Sequence, residues 1–511
     1  MKIKLKNLII LSLKEIMKKD YQEELIKKIE ISETKNKAHG DYSTNVALIL
    51  SNQLKKSPKK IAELMINSFG SESWLDKSEI AGPGFINFFL SVDSHLEVIP
   101  LIHEEKESFG KIKSSENSPK ILVEYVSSNP TGPLHVGHGR GAAYGSSISS
   151  LLRASGYQVE EEYYVNDFGR QMDILTTSVA IRYLQIDKPS IILPENCYQG
   201  DYIIDIAKNF QLKLSTTESS FEASDTVLEK IRESTDDKKL DELIYSLKEL
   251  VNSTSNMDFL EIKEFSLNSI LDGIKKDLND FGVNHNTWFF ESSLYGTDQN
   301  YDVDLVIDKL EKNGHTYKKN NAVWFKSSKF GDDKDRVIVK DNQEKTYFAS
   351  DIAYHLNKYD RGFDEIINIW GSDHHGYLPR VKASMQALEK DTQKLQVIFI
   401  QFANLIRNGK KTSMSTRGGQ FVSLDDLVNE VSSDAARFFY IMRRSDQHLD
   451  FDLDLAKKQS KDNPLYYIQY AHARICSLIK ESSNKFNAKK SLEGKKYLKL
   501  LTSPLEIELS K

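Results

Sequence analysis

Two histidines three residues apart, His135 and His138, stand in the run Pro133-Leu-His-Val-Gly-His-Gly-Arg-Gly141. Upstream lies a short apolar, β-branched stretch, Lys120-Ile-Leu-Val-Glu-Tyr-Val126, broken by Asn129-Pro-Thr-Gly-Pro133. A helical pattern follows from His138 to Ser155, so both imidazoles sit where strand gives way to helix and can face one side. Backbone N–H groups at a helix start favour anions. Gly137 removes a side chain where a flat ligand could approach the backbone. Two imidazole donors there suit a polyphosphate whose charge grows during nucleotidyl transfer. A metal pair or two packed histidines is the alternative reading.

Three other clusters carry chemistry. Glu124 is an acid inside an apolar strand. It either points to solvent from an edge or is buried with a cation, and a guanidinium is one such cation. In Thr346-Tyr-Phe-Ala-Ser-Asp-Ile-Ala-Tyr-His355, Tyr347 and Asp351 are spaced to share a helix face. Asp351 could accept a bidentate bond from a guanidinium that Tyr347 covers; equally, it could cap a helix starting at Ile352. Trp370-Gly-Ser-Asp-His-His-Gly376 directly follows a strand candidate, Ile366–Trp370. In an open α/β sheet, ligands bind beyond the carboxyl ends of strands. Asp373, His374 and His375 also read as a metal site, but carboxylates at matching spacings are not found elsewhere. Finally, Arg407–Gln420 is a Gly- and Lys-rich mobile loop whose Lys410, Lys411 and Arg417 could close over a triphosphate. A solvated surface turn is its plainer reading.

The elements that would position these residues fall into regions. The 511 residues exceed one hydrophobic core, so two to four domains are expected. Residues 1–112 hold helical patterns (Lys6–Ile31, Ser57–Phe69) and a strand after Gly82-Pro-Gly84. Residues 118–390 alternate strand and helix, with a strand at Gln158–Val165 and a charged helical insertion at about 205–280. Strands return at Ala322–Phe325 and Val337–Val339. Residues 391–455 carry the basic loop, and 456–511 are helical. The alternation predicts an α/β fold with a doubly wound, Rossmann-type sheet. A net charge of −5 argues against generic nucleic-acid binding but not against a local basic groove. No apolar run approaches the ~20 residues that span a bilayer. Cys197 and Cys476 lie far apart, so no disulfide framework is expected and a reducing cytoplasm is the default.

The His135-Val-Gly-His138 turn resembles the "HIGH" signature of class I aminoacyl-tRNA synthetases, and Val123–Pro133 is similar to the arginyl branch. The resemblance implies an arginine–tRNA ligase that uses ATP, accompanied by Mg2+, with no tightly bound cofactor and no protein metal cage. Its partners would be L-arginine and tRNA(Arg), with no membrane, as a cytoplasmic monomer. It implies catalytic roles for His135 and His138. ATP contacts would come from Pro133, His135, Gly137, His138, Gly371, Asp373, His374, Met414 and Ser415. Arginine contacts would come from Glu124, Ser127, Asn129, His135, Tyr347 and Asp351. A second family signature, "KMSK", aligns with Ser413-Met-Ser-Thr-Arg417 without its lysines; Gly132 also stands where some members place a substitute lysine. Lys410, Lys411 or Arg417 is then expected to supply the charge. Lys37–Asn45 and Gly82–Asn87 resemble the family's tRNA-contacting N-terminal domain. Asn463–Arg474 looks like the opening of its helical anticodon-binding domain, which is expected to be truncated at Lys511.

Overall fold

The computed structural model describes residues 1–18, 28–216, 225–234, 236–254, 259–296, 302–411, 422–485, 497–498 and 500–510. Two compact units emerge, one of residues 1–110 with 474–511, the other of 111–473. In the first, a four-stranded antiparallel sheet runs in the order 31–33, 42–44, 85–90, 75–81. Helices Lys2–Met17, Val46–Leu54 and Pro58–Ser68 belong to the same unit. Leu5, Ile9, Leu13, Val46, Ile61, Met65 and Phe88 form its core. Of the helical pattern expected over Lys6–Ile31, the described helix runs Lys2–Met17, residues 19–27 lie outside the described residues, and Ile31 opens a strand.

The second unit is built on five parallel strands: Lys120–Glu124, Gln158–Val165, Thr287–Phe290, Glu365–Gly371 and Leu395–Ile400. All four pairings are parallel. Numbered by position along the chain, their spatial order is 3-2-1-4-5, the doubly wound arrangement. Lys120–Glu124 lies at the centre with every residue after Lys120 buried, which explains its continuous apolar run. The direction of winding reverses between it and Glu365–Gly371, and a crevice opens there beyond the strand ends.

Between the second and third strands the described residues form five helices: Arg170–Asp187, Asp201–Ser215, Asp225–Glu233, Asp237–Thr254 and Phe259–Asp280. This accounts for the expected helical insertion. Two strands of this sheet were not legible in the sequence: Thr287–Phe290, and Leu395–Ile400, which carries the sheet past residue 390, where the sequence reading ended the catalytic region. A further correction concerns the basic loop. Asn408 and Gly409 both take positive φ (49° and 71°) and form a two-residue hairpin turn between Ala403–Arg407 and Lys410–Lys411. The start of that segment is thus a hairpin, and its positions 412–420 lie outside the described residues. No described helix is long and apolar enough to cross a membrane.

Candidate active site

The signature histidines build the mouth of a helix, Val136–Ala154, of which His135 is the N-cap. His135 Nδ1 accepts the Gly137 N–H at 3.0 Å, and His138 Nδ1 accepts the His135 N–H at 3.2 Å. A backbone N–H can only donate, so both Nδ1 atoms are unprotonated. In the neutral state each ring then carries its proton on Nε2. Burial pushes the His138 imidazole down to about 3 and lowers His135 as well. The two rings stack at 3.8 Å. They are therefore a pair of neutral Nε2–H donors at a helix N-terminus. Gly137 has a reason that spacing did not reveal: an added Cβ would lie 2.7 Å from the His135 ring.

A cavity of about 600 Å³ opens beside this helix start, at the strand-reversal crevice. Gly137, His138, Glu124, Ser127, Asn129, Tyr347, Asp351, Gly371, Asp373 and His374 all line it. The fold thus gathers most of the expected residues from segments more than two hundred positions apart. Trp370, Gln401 and Phe402 extend the wall beyond Gly371. Pro133, His135, Lys410 and Lys411 do not line the cavity; His135 reaches it only through its stack on His138, and both lysines are exposed. Met414, Ser415 and Arg417 lie outside the described residues. At Gly132, an added Cβ would meet the Tyr202 hydroxyl at 3.0 Å, so a substitute lysine would crowd that ring.

Glu124 is buried, but its cation comes from the protein itself. Lys358, fully buried, approaches Glu124 Oε2 at 2.5 Å and donates to Asn368 Oδ1 at 2.8 Å. Burial raises the Glu124 carboxyl; the Lys358 ammonium overrides this and holds it below the usual range. Ser127 Oγ donates to Glu124 Oε1 at 2.9 Å and accepts from the Tyr164 N–H at 3.1 Å. The Asn368 amide then meets His355 Nε2 at 3.0 Å, and His355 Nδ1 lies 2.8 Å from the Asp351 carbonyl. One buried chain of hydrogen bonds therefore joins Glu124 to the helix bearing Asp351. The backbone bends sharply to allow it: Val126 and Ser127 sit at φ 71° and 43°, and positive φ at a β-branched residue is a strained arrangement typical of sites.

Asp351 lies inside the helix Tyr347–Asp360, whose N-cap is Thr346, so it is not a cap. The Tyr377 hydroxyl donates to its Oδ2. Burial, with the nearby charges of Glu291 and Glu124, pushes its carboxyl up to about 7 despite that bond. Glu291, a residue the sequence reading missed, is buried in the same cavity and also raised, chiefly by burial. Tyr164 and Tyr295 face it. Neither Asp351 nor Glu291 has an ion-pair partner among the described residues. Tyr347, 58% exposed, stands at the rim. Among the described residues no three His, Cys, Asp or Glu side chains gather as metal ligands. His374 lines the cavity, while His375 turns away to stack on Phe399 at 3.7 Å.

A parallel doubly wound sheet with paired histidines at its first helix start is the architecture of a class I synthetase. Residues 99–449 match the family described as tRNA synthetases class I (R), catalytic domain, and residues 4–90 match the arginyl tRNA synthetase N terminal domain. An arginine–tRNA ligase of Thioalkalivibrio sulfidiphilus is 48% identical over 94% of this chain and 81% of its own length. One from Hydrogenovibrio crunogenus is 49% identical over 88% of this chain and 77% of its own. The arginyl-tRNA synthetase structure from Thermus thermophilus aligns with a TM-score of 0.65 at 18% identity, covering 94% of this chain and 81% of that one, a likeness of fold alone. The chain belongs to the arginyl-tRNA synthetase family.

Proposed function

We propose that the chain activates arginine with ATP and transfers it to the 3′-terminal adenosine of tRNA(Arg). The observation that carries this reading is the pair of acids, half-buried Asp351 and buried Glu291, in the same cavity as the neutral His138 donor. A guanidinium is the cation that satisfies two acceptor sets at once. Lysine's point charge would leave a carboxylate unmatched in a buried site, which supports rejection of about 10⁴-fold without an editing site. Glu124, held anionic by Lys358, faces the amino-acid end with Asn129, while Ser127 fixes its orientation.

In the first step the arginine carboxylate attacks the α-phosphorus of ATP, and pyrophosphate leaves. His135 and His138 donate from Nε2 to the phosphate oxygens as their charge grows, aided by the helix-start N–H groups. The Trp370–His374 segment forms the adenosine wall. In the second step the terminal ribose 2′-hydroxyl attacks the acyl carbon, and AMP leaves. Mg2+ accompanying the ATP phosphates would supply positive charge to the polyphosphate beside the helix-start N–H groups. Lys410, Lys411 or Arg417 serves the triphosphate when its segment closes. The N-terminal unit contacts the tRNA body, and the helical segment from 456 begins an anticodon-binding domain. The enzyme acts as a cytoplasmic monomer, and its two cysteines, far apart in the sequence, suit a reducing compartment.

Pyrophosphate exchange tests the reading. Exchange should require arginine, should not run with lysine, and should be measured with and without tRNA. No exchange under either condition sinks it.

A further inference from the structure

The chain leaving the central strand bends in a way that costs free energy. The Ser127 N–H donates to the Tyr125 carbonyl at 3.1 Å, which closes a three-residue turn with Val126 at φ 71°. A γ-turn of that sign is rare and strained. Its central residue is β-branched, for which positive φ is a true outlier. Ser127 follows at φ 43°. Such strain persists only where the surroundings over-determine it. Val126, Ser127, Ser128 and Asn129, which this bend presents, all line the cavity. Resting on the ligase reading above, we propose that Tyr163, which lines no part of the cavity, is a positioning residue that holds this bend for arginine.

Three consecutive residues of the strand Gln158–Val165 grip the bend. The Glu162 carbonyl accepts the Tyr125 N–H at 3.3 Å, and the Tyr164 N–H donates to Ser127 Oγ at 3.1 Å. Both grips use the backbone of that strand, which any residue but proline supplies. The third needs a particular side chain. The Tyr163 hydroxyl donates to the Ser128 carbonyl at 3.0 Å and also meets Ser128 Oγ at 2.8 Å. A phenol has one proton, so with that proton on the carbonyl the serine hydroxyl donates back. Burial raises the Tyr163 hydroxyl above the usual tyrosine range, so it keeps its proton. Two bonds thus close on one residue, directly after the two strained ones.

The ring is itself fixed. Tyr163 is fully buried, stacked on Trp288 at 4.5 Å and met edge-on by His285 at 5.4 Å. A hydroxyl on a fixed ring cannot follow the bend, so it opposes relaxation. Phenylalanine would fill the same space against Trp288; the hydroxyl adds the grip on Ser128. Without that grip the bend is free to unwind toward ordinary extended backbone. Ser127 would then leave Glu124, to which it donates at 2.9 Å, and Asn129 would shift with it. The paired histidines stand on another element, the start of the helix Val136–Ala154, so the loss should fall on arginine more than on ATP.

The test uses the full chain. Pyrophosphate exchange is measured with tRNA(Arg) present, and arginine affinity by calorimetry without ATP. Tyr163→Phe should raise both the KM and the Kd for arginine about tenfold, with the KM for ATP within about twofold of wild type. The thermal midpoint should hardly move, because relief of backbone strain offsets the lost bond. The decisive comparison is made in a Val126→Gly background, since glycine takes positive φ without strain and needs no grip. There Tyr163→Phe should raise the arginine Kd by less than about threefold. Val126→Asn, which also tolerates positive φ, repeats the comparison with a side chain present. A packing role for Tyr163 would give the same rise in every background. The proposal is overturned if Tyr163→Phe binds arginine as wild type does, if the KM values for arginine and ATP rise together, or if the tenfold rise persists in both Val126 backgrounds. If wild type shows neither exchange nor arginine binding, the ligase reading fails and this inference falls with it. Exchange by wild type, with arginine binding unaltered in Tyr163→Phe, sinks this inference alone.

Discussion

Glu124 and Asp351 line the same cavity from opposite ends of one hydrogen-bonded chain, yet they are in opposite electrostatic states. Glu124 has a fully buried ammonium at 2.5 Å and is held anionic. Asp351 has a tyrosine hydroxyl and a second acid nearby, and its carboxyl is pushed up to about 7. The two differ in whether a cation is built into the protein. A buried carboxylate with its own lysine is finished before substrate arrives and serves to orient. One without a cation is kept near neutrality by its surroundings and becomes fully charged only when a cation binds. The proposed function assigns arginine's guanidinium to the place of this missing cation.

The contrast can be broken at either end. The largest effect is expected from Asp351→Asn, which keeps the shape of the neutral acid but cannot become an anion. Arginine-dependent exchange should lose about 10³-fold in kcat/KM, with the thermal midpoint nearly unmoved. Next, Lys358→Met should destabilise the fold by about 3 kcal/mol in urea titration, because it strands the Glu124 charge. Adding Glu124→Gln should restore part of that loss, which a simple packing defect would not allow. The third effect is on pH. The empty protein holds a proton on Asp351 from the ordinary aspartate range up to about 7. This group's contribution to stability thus falls as pH rises through that window, while arginine affinity rises. The KM for arginine should drop about tenfold per pH unit below 7 and level off above it. Tyr377→Phe removes a bond that favours the anion and should move the break upward. The smallest effect is expected from Ser127→Ala, about 1 kcal/mol of stability, since Glu124 keeps its lysine.

The doubly wound fold, the paired histidines and the acid in the central strand were legible because each is a local pattern. An apolar run between breakers reads as a buried strand, and a signature at a strand–helix junction reads as a ligand site. The edge strand Leu395–Ile400 and the strand Thr287–Phe290 were not legible, because short apolar runs look alike until neighbours bond to them. Glu291 carried no signal at all. It sits just past one of those strands and gains meaning only from Tyr164 and Tyr295, which face it, and from Asp351 in the same cavity.

By itself, the sequence determined the residue types proposed for nucleotidyl transfer and for guanidinium recognition, and the order in which they occur. Only the tertiary structure decided which acid is already paired. Lys358 reaches Glu124 across 234 positions of chain. Charge states of buried groups depend on burial and on neighbours a few ångströms away, and sequence separation records neither. The structure likewise decided why Gly137 is glycine and which nitrogen of each signature histidine donates, because both follow from how the first helical turn closes on its own backbone.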